Sequence, residues 1–131
     1  MATHPTVFPC IKYADARAAI DWLEKAFGFA PKLVVPGDTG TIMHAELRSG
    51  AGIVMCGSAA DPEPGNPWAG APFGIYVRVD DVDAHHARAK AAGAEIVSPP
   101  TDKPYGARDY SVRDLEGRLW SFGDYDPFAE A

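Results

Sequence analysis

Cysteine is nearly missing from this chain. The two in 131 residues, Cys10 and Cys56, stand far apart in apolar, strand-like runs. That excludes a disulfide-stapled scaffold and the close cysteine spacing of a zinc finger. Both read as reduced, buried thiols. Positive charge is also scarce: 12 Lys and Arg against 18 Asp and Glu give a formal net charge of -6. With no basic stripe to follow a phosphate backbone, nucleic acid is not an expected partner. No apolar run approaches the roughly 18–20 residues of a membrane helix, so no membrane is expected either. Met-Ala-Thr-His-Pro shows no basic stretch followed by an apolar one, so no signal peptide is expected and the location expected is cytoplasmic. Gly50-Ala51-Gly52 has no helix after it, which excludes a dinucleotide cradle. Ser111 and Ser121 lack an adjacent histidine, so no activated nucleophile is visible in the sequence.

What the chain does have is one pattern twice. The apolar share of 47% and charged share of 23% suit one compact domain with a core of its own. Residues 6–13 alternate in the manner of a strand, and Asp15 then opens a helix whose apolar stripe is Ala16, Ile20, Leu23 and Phe27. Gly28 is placed to end it. Strands are expected at 31–35, 41–48 and 53–56, with Met43, Ala45 and Leu47 on one face of the second and His44, Glu46 and Arg48 on the other. From residue 74 the order repeats. A strand carries Ile75, Val77 and Val79 on one face and Gly74, Tyr76 and Arg78 on the other. A helix follows from Asp81 to Ala92, closed by Gly93, with His85 against the sheet or His86 in its place. Strands follow at 95–97, ended by Pro99-Pro100, at 107–113 and at 119–123, and the polar tail is expected to fray. The pattern predicts an α+β fold of two tandem βαβββ modules: 6–56, a Pro/Gly-rich linker at 57–73, and 74–123. The modules are expected to form curved mixed β-sheets with the helices on the outer face.

The wording is more specific than the pattern. Val79-Asp80-Asp81-Val82-Asp83-Ala84, Ala91-Ala92-Gly93-Ala94, and Arg113-Asp114-Leu115-Glu116-Gly117-Arg118-Leu119-Trp120-Ser121-Phe122 together resemble the vicinal oxygen chelate superfamily. That group holds glyoxalase I, extradiol dioxygenases, fosfomycin-resistance transferases and bleomycin-resistance proteins. The resemblance runs from about residue 6 to 123; the usual Asp-Pro of the last hairpin is Asp114-Leu115 here. In the metal-using members the ligands lie on the first and last strands of each half and face a cup. Carried over one at a time, those positions fall at Phe8, Met55, Gly74 and Ser121. Phe and Gly offer no donor, and a thioether is too soft for Mg, Mn or Fe. A one-residue shift does not help, because neighbours point to the opposite face. The resemblance therefore implies the metal-free, bleomycin-resistance-like branch, with no metal and no cofactor.

The candidate site follows from the side chains left to line such a cup. Phe8, Trp68, Phe73, Tyr76 and Tyr105 supply aromatic walls for a flat organic ligand. His44, Arg78 and Arg108, with Lys12, are cations able to meet an anionic group, which Arg grips in bidentate fashion. The function expected is binding and sequestration of a small aromatic or drug-like molecule. The alternative is a glyoxalase-, lyase- or dioxygenase-like enzyme with a displaced or absent metal. In it His44 and Glu46, neighbours on one strand face, act as general acid and base, and Asp109 is the best third ligand for a displaced metal. Since modules of this kind leave sheet edges and an open face exposed, and the resemblance implies closure by a second copy, a homodimer is expected.

Overall fold

The computed structural model describes residues 4–66, 68–71, 73–115 and 117–129. Pro67 and Pro72 of the linker and Glu116 of the last hairpin lie outside the described residues. The elements run β1 (Val7–Tyr13), α1 (Ala16–Phe27), β2 (Ala30–Pro36), β3 (Ile42–Ser49), β4 (Gly52–Ser58), β5 (Phe73–Arg78), α2 (Val82–Ala91), β6 (Glu95–Asp102), β7 (Arg108–Arg113) and β8 (Leu119–Gly123). The fold is α+β, built from two βαβββ modules. The chain divides into two compact units, Met1–Phe73 and Gly74–Ala131. No helix among the described residues is long and apolar enough to cross a membrane.

Both helices begin for the same reason. Asp15 Oδ1 accepts from the Ala18 amide and Asp81 Oδ1 from the Ala84 amide, each at 3.0 Å. Each cap satisfies an N–H that the first turn leaves unpaired. α1 ends on Gly28 at φ 75°, a left-handed position that favours glycine.

In the first unit the strands lie in the order β2-β3-β4-β1, with β1 and β4 parallel and the other pairs antiparallel. α1 covers one face through Ala16, Ile20 and Leu23, which pack with Ile42, Ala45, Leu47 and Cys56. In the second unit the order is β5-β8-β7-β6, with β5 and β8 parallel. There α2 packs through Val82 on Tyr110, Val112, Trp120 and Phe122. Residues of opposite parity on these strands point away from the helices.

Several details differ from expectation. Met43 is 67% exposed and Ile42 takes the inward place. The register steps from Val35↔His44 to Pro36↔Ile42, so Met43 is the extra residue of a bulge. β4 continues past 56 to Ser58, and β6 runs through Pro99-Pro100 to Asp102. β6 is the end strand of its unit, and register shifts between Ile96/Ser98 and Ser98/Thr101 absorb residues that cannot donate. Trp22 is 56% exposed, edge-on to an exposed Phe27, so the α1 stripe buries less than its spacing implies. Both helix histidines pack: His85 stacks on Phe122 at 4.1 Å and His86 meets Tyr110 edge-on at 5.2 Å. The tail does not fray through residue 128. Tyr125 N donates to Tyr76 Oη at 2.8 Å, and Pro127 is fully buried.

Candidate functional site

In the first unit, the sheet face turned from α1 carries a row set by register: Cys10↔Met55 between β1 and β4, and Glu46↔Met55 between β3 and β4. Glu46 is fully buried, and His44 Nε2 lies 2.8 Å from its Oε2. Lys32 Nζ stands 3.9 Å from the other carboxylate oxygen. Burying a carboxylate is costly unless it is paired, and these two side chains supply the pairing. The acid and base named from the sequence are thus brought together. Lys32 was not foreseen. Pro31↔Leu47 is followed by Leu33↔Glu46, so Lys32 is an extra residue in a second bulge that re-aims its side chain toward Glu46.

The same row recurs in the second unit, where Tyr76↔Ser121 and Ser111↔Ser121 repeat the pairing. Cys10 and Tyr76, Met55 and Ser121, and the caps Asp15 and Asp81 stand at one constant spacing along the chain. That congruence bears on the four positions where the resemblance places metal ligands. Phe8 is completely buried, Met55 and Ser121 are buried, and the Ser121 hydroxyl donates to the Tyr110 carbonyl at 3.4 Å. Gly74 has no side chain. This donor set does not fit a hard divalent cation. Among the described residues, no three His, Cys, Asp or Glu side chains gather closely enough to hold one.

The second unit gathers its own polar cluster. The Tyr105 hydroxyl donates to Asp109 Oδ2 at 3.2 Å, and Lys103 Nζ lies 3.5 Å from Oδ1. Asp109 is therefore engaged locally by a phenol and an ammonium. Tyr105 itself is 62% exposed, and its ring meets Tyr125 edge-on, as does the ring of Tyr76. Although much of the Tyr105 ring is exposed, desolvation around its hydroxyl, with the Asp109 carboxylate adding to it, pushes that phenol up, and burial does the same for Tyr76. Both stay neutral donors. Tyr76 donates to the Tyr125 carbonyl at 3.4 Å while accepting from its N–H. Lys103 and Tyr125 escaped the sequence reading because a hairpin closure and a tail had no periodicity to read.

The remaining nominated residues divide by what already holds them. Arg108 is engaged twice, by Asp83 at 2.9 Å and by Asp102 at 3.0 Å. Arg78 Nη1 reaches Asp80 at 3.3 Å. Phe73 opens β5 with an exposed ring. Trp68 is half-buried in the linker, its amide donating to Asn66 Oδ1 at 3.2 Å and its carbonyl accepting from Ala71 N at 3.2 Å. Cys56 is buried, which pushes its thiol up; Cys10 is partly buried, and both are free thiols.

Known proteins resemble this chain over nearly its whole length. A family model described as Glyoxalase/Bleomycin resistance protein/Dioxygenase superfamily matches residues 7–122. An uncharacterized protein of Mycobacterium bovis, Mb0911c, is 35% identical over 125 residues, which is 91% of this chain and 82% of that protein. TioX from Micromonospora sp. ML1, known from a crystal structure, is 44% identical, with 93% of this chain and 98% of that chain covered and a TM-score of 0.41. A Vibrio splendidus 12B01 member of the same superfamily superimposes with a TM-score of 0.70 at 19% identity, covering 89% of this chain and 96% of that one.

Proposed function

The chain belongs to the Glyoxalase/Bleomycin resistance protein/Dioxygenase superfamily, and from that premise we propose that it is a metal-free binding protein of the bleomycin-resistance type. It sequesters a small aromatic or drug-like molecule and works as a homodimer. One observation carries this reading. The four positions where the resemblance places metal ligands fall at Phe8, Met55, Gly74 and Ser121, and their chemistry is that of packing and backbone bonding. Exposed aromatic rings at Phe73 and Tyr105, and the half-buried Trp68, supply flat apolar surface instead.

The test uses tryptophan quenching against flat aromatic probes, after metal analysis of the purified protein. Trp68→Ala is expected to weaken binding several-fold, since stacking contributes about 0.5–1.5 kcal/mol beyond area burial. The thermal midpoint should hardly move. Unfolding or dissociation on that substitution would assign Trp68 to packing and remove it from the site. Stoichiometric metal whose removal abolishes function would overturn the metal-free reading.

A second reading has one observation in its favour. A buried Glu46 held by His44 at 2.8 Å, with Lys32 at 3.9 Å, is an acid/base pair with a cation beside it. In that reading the protein turns over a substrate, and Glu46→Gln abolishes turnover while aromatic probes still bind.

A further inference from the structure

Four cations were candidates for an anionic ligand group, and the structure separates them. His44 is held by Glu46, and Arg108 is clamped between Asp83 and Asp102. Arg78 is held by far less. Its contact with Asp80 is 3.3 Å long, to a carboxylate that is 94% exposed, and such pairs contribute little. Its Nε is buried and, among the described residues, has no hydrogen-bond partner. A guanidinium N–H out of water without an acceptor is costly, and a native structure rarely keeps one without a reason. The side chain as a whole is 34% exposed, so the group has room to turn and present Nε and Nη2 together. That edge is the planar fork that fits a carboxylate.

The internal repeat supplies an independent observation. Arg78 pairs in register with Gly123, and Lys12 pairs with Gly57. These pairs stand at the same constant spacing as the other repeated positions, so each unit carries a cation at this point of its first strand. Lys12 Nζ lies over its glycine: a Cβ on Gly57 would come within 3.3 Å of it. Parity places Arg78 with Tyr76, on the face turned from α2. On that face the carboxylate of Asp109, across Gly123, is already engaged by Lys103 and Tyr105.

We infer that Arg78 is the anion anchor of the site and that the ligand class is an aromatic carboxylate. The ligand's carboxylate takes the Nε/Nη2 edge of Arg78, displacing the exposed Asp80 contact, and its ring system lies against aromatic side chains of the same unit, the exposed Tyr105 among them. This rests on the binding reading above.

The experiment compares 2-naphthoate with 2-naphthamide, two flat probes of nearly one shape, by calorimetric titration of the full chain. The native protein is expected to bind the carboxylate on the order of tenfold more tightly. Arg78→Gln should bring the two probes level, and Arg78→Lys should keep only part of the preference, because an ammonium lacks the fork. Asp80→Asn removes the competing carboxylate and should tighten naphthoate alone by a few-fold. That variant decides the matter if the Arg78 substitutions fail to fold. Equal binding of both probes by the native protein overturns the inference and leaves the aromatic-binding reading standing. No binding of either probe overturns both. A preference that survives Arg78→Gln, or an Asp80→Asn that leaves naphthoate unchanged, overturns the inference as well.

Discussion

Single side chains near Gly123 show how tightly the polar cluster of the second unit is set. A Cβ there would come within 2.6 Å of Asp109 Cβ, 2.7 Å of Tyr76 Oη and 3.0 Å of the Arg108 carbonyl. No neighbour of that kind yields cheaply, since one is backbone and another is a phenol hydroxyl engaged in two hydrogen bonds. Gly123→Ala should therefore destabilise the protein by about 1–3 kcal/mol, read as a lower urea midpoint. An unchanged midpoint would mean that the cluster relaxes freely. His85 gives a pH-dependent counterpart. Burial, with Arg88 adding to it, lowers its pKa below the ordinary value near 6.5. Its Nδ1 lies 2.6 Å from the Tyr110 hydroxyl. The unfolded chain therefore binds a proton at a pH where the folded chain does not, and stability falls as pH drops from about 6.5 toward the lowered folded value. Thermal midpoints should decrease across that window, and His85→Gln should remove this part of the decrease. A decrease of the same size in the variant would assign it to other groups. At this scale the alternation of residues 41–48 made His44 and Glu46 legible as neighbours on one face. Met43 and Lys32 were not legible, because each is the extra residue of a bulge and period-two reading has no place for it.

Elements were read more securely than single residues because two signals agreed at each of them. The helices were expected at 15–27 and 81–92 and occur at Ala16–Phe27 and Val82–Ala91, since an Asp cap opens each and a glycine, Gly28 or Gly93, follows its last turn. β6 was cut short because proline was read as a breaker; an end strand tolerates it where the missing donor has no partner to lose. The tail was misread for a similar reason. Its composition is polar, yet its backbone is what Tyr76 needs, and Asp124 Oδ1 accepts from Arg108 N at 2.8 Å. Deleting residues 125–131 should take from the buried Tyr76 hydroxyl its two hydrogen bonds to Tyr125 and expose surface that Pro127 packs against. The loss of those two bonds should cost about 1–3 kcal/mol. A Tyr76→Phe change in the truncated chain should recover part of it. If truncation leaves the denaturation midpoint where it was, the tail is only resting on the sheet.

The two units share one topology, an aspartate cap at the start of each helix and one register between their first and last strands. At the scale of the whole molecule the question is what a chain of this kind does with its exposed edges. The end strand of the first unit, β2, carries Pro31 and Pro36 and a bulge at Lys32; that of the second, β6, carries Pro99 and Pro100. Prolines and bulges on an edge remove donors and twist the backbone away from a partner strand. Strand addition is therefore disfavoured at β2 and at β6, and the homodimer proposed above is expected to close through faces instead. Face-to-face closure that persists in solution needs a total buried area on the order of 1,200 Å² or more. Light scattering should then give a mass twice that of the 14.0-kDa chain at micromolar concentration. Because such an interface gains from apolar burial more than from ion pairs, the dimer should survive raised salt, whereas an association through surface charges would weaken with screening. A single 14.0-kDa species at micromolar concentration would rule the dimer out. A dimer that dissolves as salt is raised would place the contact on charged surface, and the closure through apolar faces would be wrong.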